Sequence, residues 1–364
     1  MYKPRQACAA AIATAALFSL LLLSGCGSKT STGAASGAEP TAVLGAAGST
    51  FIAPLMTKWV GAYQQSHPTV QINYRAIGSG GGIEELKHGY LSFGASDAPL
   101  NDDQLKGMSS VVQIPVSAGP VCVVYNLPHL SAPLRLSAKT LSGIYLGNIY
   151  TWQDAAVAKD NPGVSLPKGA IIVVHRSDGS GTTNIFTSYL SKVSQDWSLK
   201  SGHALSVTWP TGLGADGSKG VLAIVKQTPG TIGYLELNYA KENGVPFASI
   251  ENEAGHFVQP SPESAAAAIS SFNDALAKDV RTPIVDPPAS AADAYPIAGL
   301  SFILIPKDRA DSGQQEAVKE FVAFAITTGQ DLAEELAYAK LPDAVQKQGQ
   351  ALLSQLTANG QPLK

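Results

Sequence analysis

Short apolar runs alternate with segments of helical spacing along most of the chain. The runs that predict strands, each followed by a helical stretch, are AVLGAAG, VQINYRAIG, LSFGAS, VCVVYN, AIIVVH and ALSVTW. A further apolar run, GLSFILIP, comes late in the chain and precedes three helical segments. This alternation is typical of an α/β architecture with mainly parallel sheets flanked by helices. We therefore predict that fold class, without internal repeats or coiled-coil heptads.

The N-terminal segment departs from this pattern. Basic residues open the chain, and Ala7 to Leu23 is an apolar stretch without a charge. This is typical of a secretory signal, although about 17 apolar residues also reach the lower limit for a membrane span. The string Leu23-Ser24-Gly25-Cys26 resembles a bacterial lipobox, in which the cysteine is lipidated after cleavage. We predict a lipoprotein signal peptide over residues 1–25 and a lipid on Cys26.

The residues after the lipobox lack the side chains needed to fold. Residues 27–40 are small and polar with no apolar anchor, so they cannot bury enough surface. We predict that residues 26–40 are a flexible tether, with a reach of roughly 20 Å, that holds a body on the periplasmic side of a membrane. The body, residues 41–364, is long enough for two domains.

Cysteine content and charge exclude several kinds of partner. Cys8 lies in the signal and Cys26 in the lipobox, which leaves Cys122 without a partner, so we expect a buried thiol and no disulfide. The net charge is −3 and no basic cluster is present, so nucleic acid is not an expected partner. An anion bound by such a chain would be held by local dipoles rather than by bulk charge.

Gly, Ser and Thr are concentrated where predicted strands lead into helices. AAGSTFIAP places Ser49 and Thr50 at a helix N-cap, IGSGGGIEEL places Ser79 at a second helix start, and SDGSGTTNIF opens a third. Each turn alone could be an ordinary cap. Three together indicate an anion site, because helix N-termini present unpaired N–H groups and a positive dipole end.

Other motifs are weak or absent. The string Gly212–Gly217 matches G-x-G-x-x-G after a predicted strand, but one such match behind a Trp-Pro break is poor support for a dinucleotide site. No Gly-Lys pair, G-x-S-x-G string or paired-histidine spacing occurs. Asp97 and Asp178 flank the Gly/Ser/Thr clusters without a nucleophile–base pair, and His175 reads as structural. We predict no catalytic residue, metal or cofactor.

The strings FGASDAPL and RSDGSGTT closely resemble the phosphate-binding lipoproteins and periplasmic proteins of bacterial ABC-type phosphate importers. The resemblance covers nearly the entire mature chain. Further matching strings are GAAGSTFIAPLMTKWV, YRAIGSGGGI, IYLGNIYTW, FTSYLSKV, WPTGLG, GTIGYLE and FILIPKD. It implies a two-lobe type II periplasmic binding protein fold, with the ligand in a cleft between lobes of residues 41–117 plus 296–364 and residues 118–295.

The same resemblance implies the ligand set. Asp97 would be the one hydrogen-bond acceptor, and Asp178 would steady the arginine. Histidine stands at position 175 where a known relative has arginine, which removes a nearby positive charge but no ligand. The remaining residues implied to hold phosphate are Ser49, Thr50, Phe51 and Ser79 on one lobe, and Arg176, Ser180, Gly181 and Thr182 on the other.

These observations lead to two functional hypotheses. The favoured one is a monomeric, non-catalytic, high-affinity receptor that captures inorganic phosphate and delivers it to an ABC-type permease in the membrane. The alternative is an exported phosphoryl-handling hydrolase that uses the same anion site. An enzyme needs a nucleophile with a positioned base, or a metal.

Overall fold

The computed structural model describes residues 41–108 and 110–363. The predicted signal, Cys26 and the tether lie outside the described residues. The strands are β1 (Ala42–Gly48), β2 (Val70–Ala76), β3 (Phe93–Ser96), β4 (Val111–Tyr125), β5 (Arg135–Leu136), β6 (Ile172–Arg176), β7 (Leu213–Ala215), β8 (Thr231–Glu236), β9 (Ser249–Glu251), β10 (Phe257–Val258), β11 (Ala298–Pro306), β12 (Asp308–Arg309), β13 (Thr357–Ala358) and β14 (Gln361–Pro362).

Helices lie between most of the strands. A 3₁₀ helix, Thr328–Gln330, lies between the twelfth and thirteenth α-helices. The α-helices are α1 (Ala53–Ser66), α2 (Ser79–Lys87), α3 (Asp102–Lys106), α4 (Ala138–Tyr145), α5 (Ala155–Asp160), α6 (Gly181–Val193), α7 (Gln195–Lys200), α8 (Gly217–Gln227), α9 (Leu237–Glu242), α10 (Pro262–Ser270), α11 (Asn273–Leu276), α12 (Ser312–Ala325), α13 (Asp331–Glu335) and α14 (Asp343–Leu353). In the described part of the chain, no helix is both long enough and apolar enough to cross a membrane.

The main sheet has eight strands in the order β2-β1-β3-β11-β4-β8-β6-β7 among the described residues. Pairing is parallel at both ends of this sheet, between β2, β1 and β3 and between β8, β6 and β7. It is antiparallel at the centre, where β11 lies between β3 and β4 and β4 also pairs with β8. The predicted α/β class is therefore confirmed, with parallel ends and an antiparallel centre.

The long strand β4 joins the two ends of the sheet. Its first part, up to Pro120, pairs with β11, and its last part, from Val121 to Tyr125, pairs with β8. Almost every residue of β4 is buried, as expected of a strand covered on both faces. The predicted lobe boundary at 117/118 falls inside β4, and the division into lobes stays a prediction.

Helix α1 shows how apolar spacing becomes packing. Its buried residues Leu55, Met56, Trp59 and Tyr63 recur every three to four positions, so they share one face. Pro54 lies in the first turn, where its missing N–H costs nothing. Trp59 is fully buried, and truncating a buried aromatic of this size typically costs about 3–5 kcal/mol.

The prediction of a strand over ALSVTW, residues 204–209, is wrong. This segment is irregular, and the nearby strand is β7, which lies inside the Gly212–Gly217 motif instead of before it. The carbonyls of the irregular segment serve other partners: Leu205 O accepts from Ser180 N at 2.8 Å and Thr208 O accepts from the Ser201 hydroxyl at 2.9 Å. Its apolar alternation reflects packing such as the stacking of Trp209 on His175.

Candidate functional site

The three Gly/Ser/Thr-rich turns converge on one buried point. The Ser79 hydroxyl, at the start of α2, accepts from Gly181 N at 3.1 Å and from Asp97 N at 3.2 Å. A side chain at position 181 would place its Cβ 2.6 Å from both the Ser79 Oγ and the Asp97 Cβ, so the close approach requires glycine. The turns before α2 and α6 are thus brought together by a close approach that only glycine permits.

The turn before α1 differs from the prediction. The helix begins at Ala53 with Ile52 as its N-cap, not at Ser49 or Thr50. Ser49 still accepts from Ile52 N at 3.2 Å, but its hydroxyl hydrogen is directed to the Asp97 carboxylate, whose oxygens lie 2.7 and 2.6 Å away. Ser49 therefore links the start of the helix to the buried acid.

Three tyrosine hydroxyls donate hydrogen bonds to the carbonyls of the same turn. The carbonyls of the three consecutive residues Ser49–Phe51 accept from Tyr74 at 2.7 Å, Tyr239 at 3.4 Å and Tyr338 at 2.5 Å, respectively. These tyrosines come from β2, from α9 and from the segment after α13. The carbonyls of this turn are therefore all satisfied by tyrosine donors.

Arg176 ends β6 and is almost completely buried, with 3% of its surface exposed. Its Nε donates to Asp178 Oδ1 at 2.6 Å and its Nη2 donates to the other carboxylate oxygen. Its Nη1 donates to the Thr50 hydroxyl at 3.0 Å. Burial disfavours the charged form, but Asp178 outweighs burial and raises the pKa of Arg176, and the same pair lowers the pKa of Asp178 although burial opposes this.

Asp97, immediately after β3, is a buried acceptor, 3% exposed. Besides the Ser49 contact, its Oδ1 accepts from the Ser301 hydroxyl at 2.7 Å. Burial raises the pKa of this carboxyl to about 6, although the Ser49 and Ser301 hydroxyls and the charge of Arg176 act in the opposite direction. The group therefore changes charge close to neutral pH.

The turn before α6 supplies hydroxyl and N–H groups. Ser180 caps the helix by accepting from Thr183 N at 3.1 Å. The Thr182 hydroxyl is buried and has no hydrogen-bond partner among residues 41–108 and 110–363. Phe51 is fully buried and packs edge-on against Tyr338. The structure thus brings every residue of the predicted set to one region, and their roles as phosphate ligands stay predictions.

Sequence reasoning missed three polar residues here. Ser218, in the first turn of α8, places its Oγ 2.9 Å from the Thr50 Oγ1 and 3.5 Å from Arg176 Nη1. Ser301 lies inside an apolar strand, and Glu236 ends β8, 1% exposed. Only Ser218 left a signal, because the Gly-rich turn before it resembles the other three.

Comparisons with known proteins agree in fold. Residues 34–328 match the PBP superfamily domain. The phosphate-binding protein PstS of Xylella fastidiosa (strain Temecula1) is 43% identical over 309 residues, which are 85% of this chain and 84% of the relative. The protein of the same name from Methanocaldococcus jannaschii is 38% identical over 333 residues, with 85% of each chain covered.

Solved structures share the architecture at lower identity. A putative phosphate ABC transporter substrate-binding protein with bound phosphate from Clostridium perfringens has a TM-score of 0.61 and 19% identity, covering 82% of this chain and 100% of that chain. A phosphate-binding protein from Stenotrophomonas maltophilia has a TM-score of 0.65 and 18% identity, covering 85% and 93%. The fold predicted from the sequence is confirmed.

Proposed function

This chain belongs to the PBP superfamily, in the family of PstS phosphate-binding proteins with the type II periplasmic binding protein fold, and on that premise we propose that it captures inorganic phosphate for an ABC-type importer. The observation that carries the proposal is the buried convergence of Arg176, the Thr50 hydroxyl and the Gly181 turn around one acceptor, Asp97. Phosphate is delivered from this cleft to the transmembrane subunits of the permease.

The predicted ligand residues form a cage around the anion. The donors and the one acceptor of this cage suit an oxyanion that carries a proton. Arg176 offers a charge-assisted donor pair, while Asp178 keeps its guanidinium plane fixed and partly neutralises it. Hydroxyls and N–H groups at the helix starts supply the other donors. Asp97 accepts from P–O–H, a proton that phosphate keeps at neutral pH and sulfate lacks, so sulfate meets the carboxylate charge to charge.

Capture requires that the two halves of the cleft separate. The lobes are residues 41–117 plus 296–364 and residues 118–295, and contacts such as Arg176 to Thr50 close the cleft over the anion. Solution scattering should show compaction when phosphate is added. Identical profiles would argue against closure, although not against binding.

The proposal is a receptor without catalysis. The PstS relatives and the solved structures compared with the chain are named for phosphate binding, and the hydrolase alternative gains no support from them. Calorimetry with phosphate, arsenate and sulfate should give tight binding of the first two and none of the third. Turnover of a phosphomonoester by the purified protein would overturn the non-catalytic role.

We further propose that the body acts as a monomer and is anchored outside the cytoplasm through lipid on Cys26, and the lipobox and the polar tether support the anchor. Both features lie outside the described residues. Cys26→Ser should release the body to the soluble fraction or leave the signal uncleaved. If this variant is processed and stays with the membrane like the wild type, the lipid anchor is excluded.

A further inference from the structure

A second buried carboxyl, Glu236, lies beside the cage and has no role in the mechanism above. It is the last residue of β8, opposite Val121 of β4, and only 1% of its surface is exposed. Neither of its side-chain oxygens makes a hydrogen bond to a residue that the structure describes. Buried polar groups are almost always hydrogen-bonded, so an unpartnered carboxyl at a ligand cleft requires an explanation.

Glu236 is connected to the cage through Ser218. Burial raises the pKa of Glu236 well above its ordinary value, while the Ser218 hydroxyl and the charge of Arg176 act in the opposite direction. The charge of Asp97 acts in the same direction as burial. The charged and titratable groups that interact with Glu236 are Asp97 after β3, Cys122 on β4, Arg176 on β6, Tyr239 on α9 and Tyr338 after α13.

The Ser218 and Thr50 hydroxyls form one wall of the cage. The direction of the hydrogen bonds in this wall depends on whether Glu236 carries a proton. The Thr50 and Ser218 hydroxyls lie 2.9 Å apart, and either can donate. An ionised Glu236 would draw the Ser218 hydrogen to itself, and Thr50 would then donate to Ser218. A neutral Glu236 can donate to Ser218, which then donates to Thr50. Because Arg176 Nη1 also donates to Thr50, the Thr50 hydrogen is left to face the cleft.

Charge leads to the same conclusion. Arg176 and Asp178 form an ion pair, so the formal charge left in the cleft is that of Asp97. An ionised Glu236 would add a second negative charge where a phosphate anion must enter, and in a buried site this repulsion is poorly screened. A neutral Glu236 avoids it.

We propose that Glu236 is a positioning residue whose carboxyl must carry a proton for tight phosphate binding, since that proton sets the polarity of the Ser218–Thr50 wall. The inference rests on the proposed phosphate receptor function and adds a proton requirement to it. Binding at a pH where free Glu236 is ionised is therefore accompanied by uptake of a proton at its carboxyl. Glu236 itself does not touch the anion.

The test uses Glu236→Gln, which keeps the shape and the donor and cannot ionise. Glu242→Gln, an exposed position on helix α9, which follows β8 directly, is the matched control. Phosphate affinity is measured by calorimetry from about pH 6 to about pH 10 for all three proteins. The ratio of wild-type Kd to Glu236→Gln Kd cancels the ionisation of phosphate itself. It should lie within about threefold of one at the acid end and rise by up to about tenfold per pH unit once free Glu236 ionises.

Each alternative result decides the matter. A ratio that stays near one at every pH, or a Glu236→Gln variant that binds more tightly than wild type throughout, overturns the proton requirement. So does a folded variant that loses binding at all pH values, because the carboxylate itself would then be needed. A ratio for Glu242→Gln that rises in parallel also overturns it.

A measurement on the wild type covers the case of a variant that does not fold. Calorimetry at the alkaline end in two buffers of different ionisation enthalpy should report proton uptake on phosphate binding, in excess of that due to phosphate. No excess uptake overturns the inference. A wild type that binds no phosphate at any pH contradicts the proposed function instead, so the two failures are distinguishable.

Discussion

Two strands, β3 and β8, each bring a buried carboxyl to the candidate site, and the two carboxyls differ in the hydrogen-bond donors around them. Asp97, just after β3, accepts from the hydroxyls of Ser49 and Ser301. Glu236, at the end of β8, accepts from no residue in the described part of the chain. Burial raises both pKa values, that of Asp97 to about 6 and that of Glu236 well above its ordinary value.

The difference shows that the number of donors, rather than burial alone, sets the charge of a buried acid. Asp97 has donors in Ser49 and Ser301 and a pKa of about 6, so it is ionised at neutral pH and is suited to the proposed role of accepting a hydrogen bond from phosphate. Glu236 lacks such donors among the described residues, and burial raises its pKa well above its ordinary value. A third carboxyl, Asp178, pairs with Arg176 directly and has a lowered pKa, although burial opposes this. The site thus holds acids whose pKa values are shifted in different directions around one arginine.

The largest effect is expected from Arg176→Ala, which removes the cation that interacts with all of these acids. Losing a charge-assisted, two-point donor should cost on the order of 2–4 kcal/mol, or about 30- to 1000-fold in phosphate affinity. His175→Ala is the control, because His175 stacks on Trp209 and points its ring nitrogen to a backbone carbonyl. Calorimetry compares the phosphate affinities of the two variants. Equal losses of affinity would mean that Arg176 does not lie on the strand face that meets the ligand.

The second-largest effect is expected from Asp97→Asn, which removes the ionised acid. The amide keeps the shape but cannot repel sulfate, so the main effect should be a gain in sulfate binding of about 2 kcal/mol, or roughly 30-fold. Competition of sulfate against labelled phosphate measures it. An Asn variant that rejects sulfate as strongly as the wild type would show that Asp97 does not select the ligand.

How much of this site was predictable depends on where each signal lies in the chain. Ser79, Arg176 and Gly181 come from turns with local composition that marks a helix start, and the structure brings them together. Ser301 has no such signal, because its contact with Asp97 exists only once β11 pairs with β3. Glu236 likewise ends an ordinary apolar strand, and its importance comes from burial against distant residues.

The strand predictions show the same limit. GLSFILIP and AIIVVH are continuous apolar runs, and both form strands of the main sheet, β11 and β6. ALSVTW alternates in a way typical of a half-buried strand, but its apolar residues pack on neighbouring elements and its carbonyls serve Ser180 and Ser201. Local pattern cannot distinguish these cases, because the hydrogen-bond partner is remote in sequence.

The pH dependence of sulfate binding should report the charge of Asp97. Because the pKa of Asp97 is raised to about 6, the carboxyl takes up a proton below that pH and becomes a donor. A protonated Asp97 no longer repels sulfate, so sulfate affinity should rise by up to about tenfold per pH unit as the pH falls toward about 6, and should level off below it. Phosphate binding should persist from about pH 5 to about pH 8, since either partner can supply the shared proton.

The control for this pH dependence is Asp97→Asn, whose sulfate affinity should be independent of pH over the same range. Competition titrations at about pH 5 and about pH 7 on both proteins give the required ratios. Wild-type sulfate binding that is equally weak at both pH values would mean that Asp97 stays ionised in the closed cleft.

The smallest predicted effect comes from Ser301→Ala, which takes one of the donors from Asp97 and makes it more like Glu236. Loss of a 2.7 Å hydrogen bond to a carboxylate should weaken phosphate binding by about 1 kcal/mol and raise the pKa of Asp97 further. Sulfate competition should therefore begin at a higher pH than in the wild type.

The chain offers a close control for Ser301→Ala. Ser117 lies directly opposite Ser301 in the pairing of β4 with β11, is fully buried, and has a hydroxyl without a hydrogen-bond partner among the described residues. Ser117→Ala makes the same truncation in the same strand pair and removes no donor from Asp97. Its phosphate affinity and the onset pH of its sulfate competition should match those of the wild type. If the two alanine variants shift both quantities equally, the effect comes from packing in the strand pair, and the hydroxyl of Ser301 does not tune Asp97.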